Sequence, residues 1–255
     1  MALVSVACAW GPMARATDDT GDCNACAVAG AGARERAFAP AQVRLPPPLT
    51  LHYEVTHGLL RGAGELTWRP QAQRYELTLQ ARVGPLLVLT QSSRGALNAS
   101  GLLPSQYSDQ RLRRTPTVAT FERGSGQVTF SDRSTPVALS AGAQDRLSWM
   151  VQLAAIVGAN PQLGQAGARI PMAVVGSKGE ADTWVFRCLG MESADAGDVS
   201  AGMLKFVRES QGEADEGVLV WLDPRRHHLP VRATQGSGRG EDGFELRLRE
   251  VVPVA

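Results

Sequence analysis

The stretch Ala141-Gly142-Ala143-Gln144-Asp145-Arg146-Leu147-Ser148-Trp149-Met150-Val151-Gln152-Leu153-Ala154-Ala155-Ile156-Val157-Gly158-Ala159-Asn160 decides how the rest of the chain is read. Leu147, Met150, Val151, Ala154 and Val157 fall on one stripe at helical spacing, and Trp149, Leu153 and Ile156 fill the flank beside it. A helix that is apolar on nearly every face has to be enclosed, so the spacing predicts a buried helix from Gln144 to Val157. Asp145 stands where a carboxylate would satisfy the orphan amides of the first turn and favour the positive end of the helix dipole; Gly158 and Pro161 supply the stop. Arg146 then serves as the partner of Asp145 or as a clamp on neighbouring carbonyls. The functional alternative makes the two a polar gate beside an apolar cavity.

Outward from this helix, both flanks alternate apolar and polar residues with period two. Leu49 to Val55, Gly62 to Trp68 and Tyr75 to Ala81 read as three successive antiparallel strands. Pro85 to Leu89 is continuously apolar, which predicts a strand covered on both faces or set against another apolar surface. Ser100 to Pro104 reads as a turn, followed by strands from Gln106 to Arg113, Thr117 to Phe121 and Gln127 to Phe130. Six further strands follow the helix, between Arg169 and Val252. The expected fold is mainly β: one curved antiparallel sheet or half-barrel of about 10–12 strands wrapped around one buried helix. No composition shift marks a second domain, so residues 46–255 read as one β-rich domain.

With 255 residues and 44% hydrophobic content the chain can bury a substantial core. The 26 Lys and Arg balance 25 Asp and Glu, so no global field gathers nucleic acid or anionic lipid. No apolar run reaches the ~18 residues of a membrane-spanning helix. Residues 1–16 carry a short apolar run from Ala2 to Trp10 and end Ala14-Arg15-Ala16, which fits a signal-peptidase site although the usual basic start is missing. Residues 17–45 lack periodicity and read as a flexible leader. The expected compartment is the periplasm, with the cytoplasm as the alternative.

Within that leader Cys23 and Cys26 form a C-x-x-C without the strand-helix context of a redox motif or the further ligands of a zinc site, so an incidental or locally disulfide-bonded pair is expected. Cys188 lies in an alternating strand pattern, where a buried inert thiol is the usual state. Gly238 to Gly243 matches the dinucleotide glycine pattern letter for letter, yet it bridges two alternating strands and carries two carboxylates, so it reads as a hairpin turn. His227-His228 reads as solvated turn histidines, and Ser125 lacks the nucleophile-elbow context. Arg111, Arg113 and Arg114 form a small cationic stripe, either a solvated strand face or a contact for an anionic head group. No catalytic, cofactor-binding or metal-binding constellation emerges. Trp68, Trp149, Leu153, Trp184 and Trp221 are the candidate lining of an apolar cleft between sheet and helix, with a fully packed core as the alternative.

Gly142-Ala143-Gln144-Asp145-Arg146-Leu147-Ser148 occurs together with Ser93-Arg94-Gly95, the later Gly101-Leu102-Leu103-Pro104-Ser105-Gln106-Tyr107, and Val220-Trp221-Leu222 with Leu229-Pro230-Val231. On these motifs the chain resembles the bacterial domain of unknown function 3108, found in proteobacterial envelope proteins, over about Leu49 to Val252. The family assigns no catalytic residues. The resemblance implies an exported antiparallel β domain loosely similar to the half-barrel of periplasmic lipoprotein carriers, in which a curved sheet shelters a helix over an apolar cavity. The expected function is non-enzymatic binding of a lipid or other hydrophobic small molecule, or of a lipidated partner. The alternative is an envelope assembly module, with a solid core, that contacts another envelope protein.

Overall fold

The computed structural model describes residues 42–133, 135–193, 202–209, 217–236 and 243–254. The period-two pattern builds β1 (Leu49–His57), β2 (Leu60–Gln71), β3 (Arg74–Val83), β4 (Leu86–Asn98), β5 (Gly101–Arg111), β6 (Thr117–Glu122), β7 (Gln127–Phe130) and β8 (Val137–Ala138). β9 (Gln144–Asp145) leads into α1 (Ser148–Ala159). After it come β10 (Arg169–Val175), β11 (Ala181–Ser193), β12 (Gly202–Arg208), β13 (Val218–Asp223), β14 (Leu229–Gln235) and β15 (Phe244–Pro253). All join one 15-stranded sheet in the order β8-β7-β6-β5-β4-β3-β2-β1-β15-β14-β13-β12-β11-β10-β9. β1 and β15 therefore lie side by side in mid-sheet, from Leu49 opposite Pro253 to His57 opposite Phe244.

Bulges at His52/Tyr53, Ala81/Arg82, Arg94/Gly95, Cys188/Gly190 and Trp221/Leu222 bend the strands and deepen the twist, which curls the sheet towards closure. The edge strand β9 comes against β5, and the hydroxyls of Thr117 and Ser177, 2.7 Å apart, tie β6 to the turn between β10 and β11. α1 lies inside the curl. Its residues from Ser148 to Val157 are all buried, facing Leu51, Leu66, Leu77, Leu102, Ile170, Phe206 and Leu222 from strands all around. The helix is thus the core of the barrel.

Two glutamines complete the wall. β6 pairs with β5 only at Gln106 to Asp109, so the first residues of β5 lack a strand on that side. Gln152 of α1 fills the gap: its Oε1 accepts from Leu102 N at 2.8 Å and its Nε2 donates to Ser100 O at 2.8 Å. Gln144 Nε2 donates to Leu102 O at 2.8 Å. Buried backbone groups must find such partners, and here side-chain amides stand in for a strand. Gly101 makes this possible, because a Cβ there would lie 2.1 Å from Gln152 Oε1.

The architecture follows the sequence expectation, with local differences. The helix begins at Ser148, because Gln144 and Asp145 pair in parallel with Val174 and Val175 of β10. β4 runs on to Asn98 and β5 begins at Gly101, so the expected turn from Ser100 to Pro104 is mostly strand. The apolar run at the start of β4 is not covered on both faces: Leu86 is exposed, Leu89 is buried in the core and Val88 is partly buried against it. The count exceeds 10–12 partly because β8 and β9 are two-residue strands too short to show a period. Residues 42–45, assigned by sequence to the flexible leader, cross the C-terminal end of α1, with Arg44 N donating to Ala155 O at 2.9 Å. The expected signal segment, Cys23 and Cys26 lie outside the described residues.

Candidate functional site

Four of the five residues expected to line a cleft are sealed in the core. Trp68, Trp149 and Leu153 have 0% exposure and Trp184 has 1%. The Trp149 ring stacks on Phe186 at 5.1 Å and meets Trp184 edge-on at 5.7 Å. Trp68 lies 5.6 Å from Tyr75, and its Nε1 donates to Pro46 O at 3.0 Å. A side chain without accessible area touches no water-sized void, so the expected cleft is filled by the protein's own aromatic rings. Trp221 is not with them. Alternation along β13 sends Val218, Val220 and Leu222 inward and Trp221 to the outer face. There its ring lies between Lys205 Nζ at 5.0 Å and Arg232 Cζ at 4.6 Å, and its Nε1 donates to Glu192 Oε2 at 2.5 Å.

At the N-terminal end of α1 the core turns polar. Asp145 Oδ1 accepts from Leu147 N at 2.8 Å and Ser148 N at 2.7 Å, while Asp145 N donates to Ser148 Oγ at 2.9 Å. The expected capping carboxylate therefore serves the helix from two residues before the formal cap position, Leu147. Its Oδ2 accepts from Ser93 Oγ at 2.5 Å, and Ser93 also bonds the Tyr75 hydroxyl at 2.8 Å. Burial pushes the Asp145 carboxyl up to about 6, against the lowering effect of these hydrogen bonds.

Among the described residues Arg146 makes no hydrogen bond to Asp145 or to a carbonyl. Its guanidinium carbon lies 4.9 Å from the Trp184 ring centre, and that of Arg208 lies 4.6 Å from the same ring. Burial lowers the Arg146 pKa, opposed chiefly by Glu180. Arg146 Nε, Tyr107 OH, Trp149 Nε1 and Trp184 Nε1 are buried donors that meet no acceptor among the described residues. Among those residues no group of three or more His, Cys, Asp or Glu side chains could hold a metal. Cys188 is a buried free thiol whose Sγ donates to Gly164 O at 3.3 Å.

The opposite end of the barrel, where residues 42–48 cross the end of α1, carries an open groove of about 680 Å³. Its apolar lining includes Pro47, Pro48, Val251 and Val254, and Arg225 and Arg226 stand beside it. Asp223, with only 3% of its side chain exposed, holds Arg225 at 3.2 Å and Arg226 at 3.5 Å, so one carboxylate answers two half-exposed guanidinium groups. Arg249 and Glu250 line the same groove. The next two residues, His227 (φ 53°) and His228 (φ 56°), both take the left-handed conformation that costs a side-chain-bearing residue energy. His228 packs near Gly158 at the end of α1, and its pKa is lowered by burial and then by Arg44. His227 is exposed, as the sequence suggested for both. The groove itself was not read from sequence. Its residues come from three distant segments, and the only local signal was the proline run that opens β1.

The family model described as "Protein of unknown function (DUF3108)" matches residues 50–247. The chain belongs to that family. No curated protein matches this DUF3108 chain. Among solved structures, the crystal structure of a beta-barrel-like protein of domain of unknown function DUF1849 from Brucella abortus is similar, with TM-score 0.51 and 10% identity. The similarity covers 82% of the DUF3108 chain and 98% of the other. At that identity the likeness concerns the fold, and it agrees with the curled sheet found here.

Proposed function

We propose that this DUF3108 protein is a non-enzymatic, periplasmic component of the cell envelope that binds an anionic amphiphile, such as a fatty acid or lysophospholipid. The seat is the end groove beside Pro48, Val251 and Val254, and not the interface between sheet and helix, where Trp149 and Trp184 leave no space. The observation that carries this reading is an apolar trough whose rim presents the guanidinium groups of Arg225, Arg226 and Arg249. An acyl chain would lie along the prolines and valines, and its head group would meet the guanidinium groups.

Titration of delipidated protein with laurate or lysophosphatidylglycerol tests it. Binding at micromolar concentration is expected, weakened about tenfold by Arg226→Glu. Absence of binding, or full binding by a variant carrying both Arg226→Glu and Val254→Asp, would overturn the proposal. The filled core also suits the second reading, an assembly module, and the short edge strand β8 is where another chain's strand would add. Concentration-dependent association that is abolished by Val137→Pro would favour it.

A further inference from the structure

The hairpins β1–β2 and β3–β4 and the connection from β5 to β6 all emerge at one end of the sheet, opposite the groove, because successive antiparallel strands return to the same side every second turn. Each projects leucine into solvent. Leu59 is 92% exposed, Leu60 38%, Leu86 56% and Leu112 46%. Among the described residues the other exposed large apolar side chains, Leu189, Met191 and Val252, lie along β11 and β15, so the four leucines are the ones gathered at the turns of one rim.

The turns themselves hold these side chains outward. Gly58 (φ 57°) opens the two-residue turn that carries Leu59, and Gly84 (φ 55°) opens the one followed by Pro85 and Leu86. Arg113 (φ 58°) takes the same left-handed conformation beside Leu112. With strands about 4.8 Å apart, neighbouring tips are separated by roughly 10 Å, so the three form a compact row.

The charge at these tips is of one sign. Residues 57–61, 82–87 and 111–117 contain no Asp or Glu, whereas Arg82, Arg113 and Arg114 are exposed, as is Arg61, which reaches back to Glu54 at 3.5 Å. Leucines at the apex with arginines just behind match the layering of an anionic bilayer, in which acyl chains lie beneath phosphates. An acidic protein would meet the arginines but would have no use for bare leucines on three separate turns.

We propose that this rim is a membrane-docking surface, inserting Leu59, Leu86 and Leu112 among the lipids of an anionic phospholipid leaflet while Arg82, Arg113 and Arg114 engage the phosphates. The inference is independent of the groove at the other end. Co-sedimentation with vesicles of phosphatidylcholine containing 30% phosphatidylglycerol tests it, alongside pure phosphatidylcholine vesicles and poly-glutamate. The protein is expected to bind the anionic vesicles, to be released by high salt, and to lose about tenfold in affinity with Leu59→Ser. Leu59→Trp should show a blue-shifted emission component on adding those vesicles. The substituted side chains touch solvent, so the melting temperatures should stay unchanged. Failure to bind anionic vesicles would overturn the proposal. So would binding indifferent to Leu59→Ser, Leu86→Ser and Leu112→Ser combined, or retention by poly-glutamate that depends on the arginines but not the leucines.

Discussion

Asp145 shows how much a single buried carboxylate can control. Its ionised form is welcomed by two backbone amides and the Ser93 hydroxyl, yet desolvation outweighs them and raises its pKa from 3.8 to about 6. Between these values the unfolded chain releases a proton that the folded chain keeps, so the contribution of Asp145 to stability is full below about pH 4. It falls as pH rises through about 6 and is then flat, a loss on the order of 3 kcal/mol. Asp145→Asn keeps the shape and removes the titration. In urea unfolding at pH 4, 5, 6 and 7, the variant should gain on the wild type steadily up to about pH 6; a gap that stays constant would refute the assignment. The capping role of Asp145 was legible from its place before an apolar run. Ser93 was not, because it comes from a strand 52 residues earlier and no local pattern ties the two.

The elements themselves were read best where one physical signal dominated. The helix was legible because a segment apolar on every face has no stable place except inside. Where two signals competed, local composition misled: Ser100 to Pro104 has the residues of a turn, yet two glutamine side chains hold its backbone in strand geometry. Gln152→Leu removes both hydrogen bonds that α1 makes to this segment. It should cost about 1–3 kcal/mol, chiefly through the Leu102 N–H left buried without a partner. A chemical-denaturation midpoint unchanged by Gln152→Leu would show that β5 stands without the glutamine. Trp221 illustrates the opposite limit. Large aromatics are usually inward, but its position opposite Lys205 and Arg232 puts it on the outer face, where two cationic stems cover it.

For the whole molecule, period-two alternation foretold a curved sheet around a helix, but not its strand order or the degree of its closure. All neighbouring strands but β1 and β15 are consecutive in the chain, and it is that one distant pairing, which leaves no mark on local sequence, that joins the two halves of the sheet. The two strands are linked across 195 residues by the Arg249–Glu54 ion pair. Closing the sheet waits on this one distant pairing, so refolding in milliseconds to seconds or longer is expected. Stopped-flow tryptophan fluorescence would follow it through the burial of Trp149 against Phe186. Refolding complete within microseconds would contradict the topology.

Because Val254 N donates to Pro48 O at 3.2 Å, the two ends of the sheet-forming chain nearly touch, while β8 and β9 at the sheet's outer margins are joined by only a short connection. The connectivity is therefore a ring that the gene happens to open beside β1. A circular permutant with a short peptide bridging residues 254 and 48, and new ends between Leu139 and Ala143, would turn every strand pairing into one between sequence neighbours. Such a chain should reach the same barrel faster than the natural one.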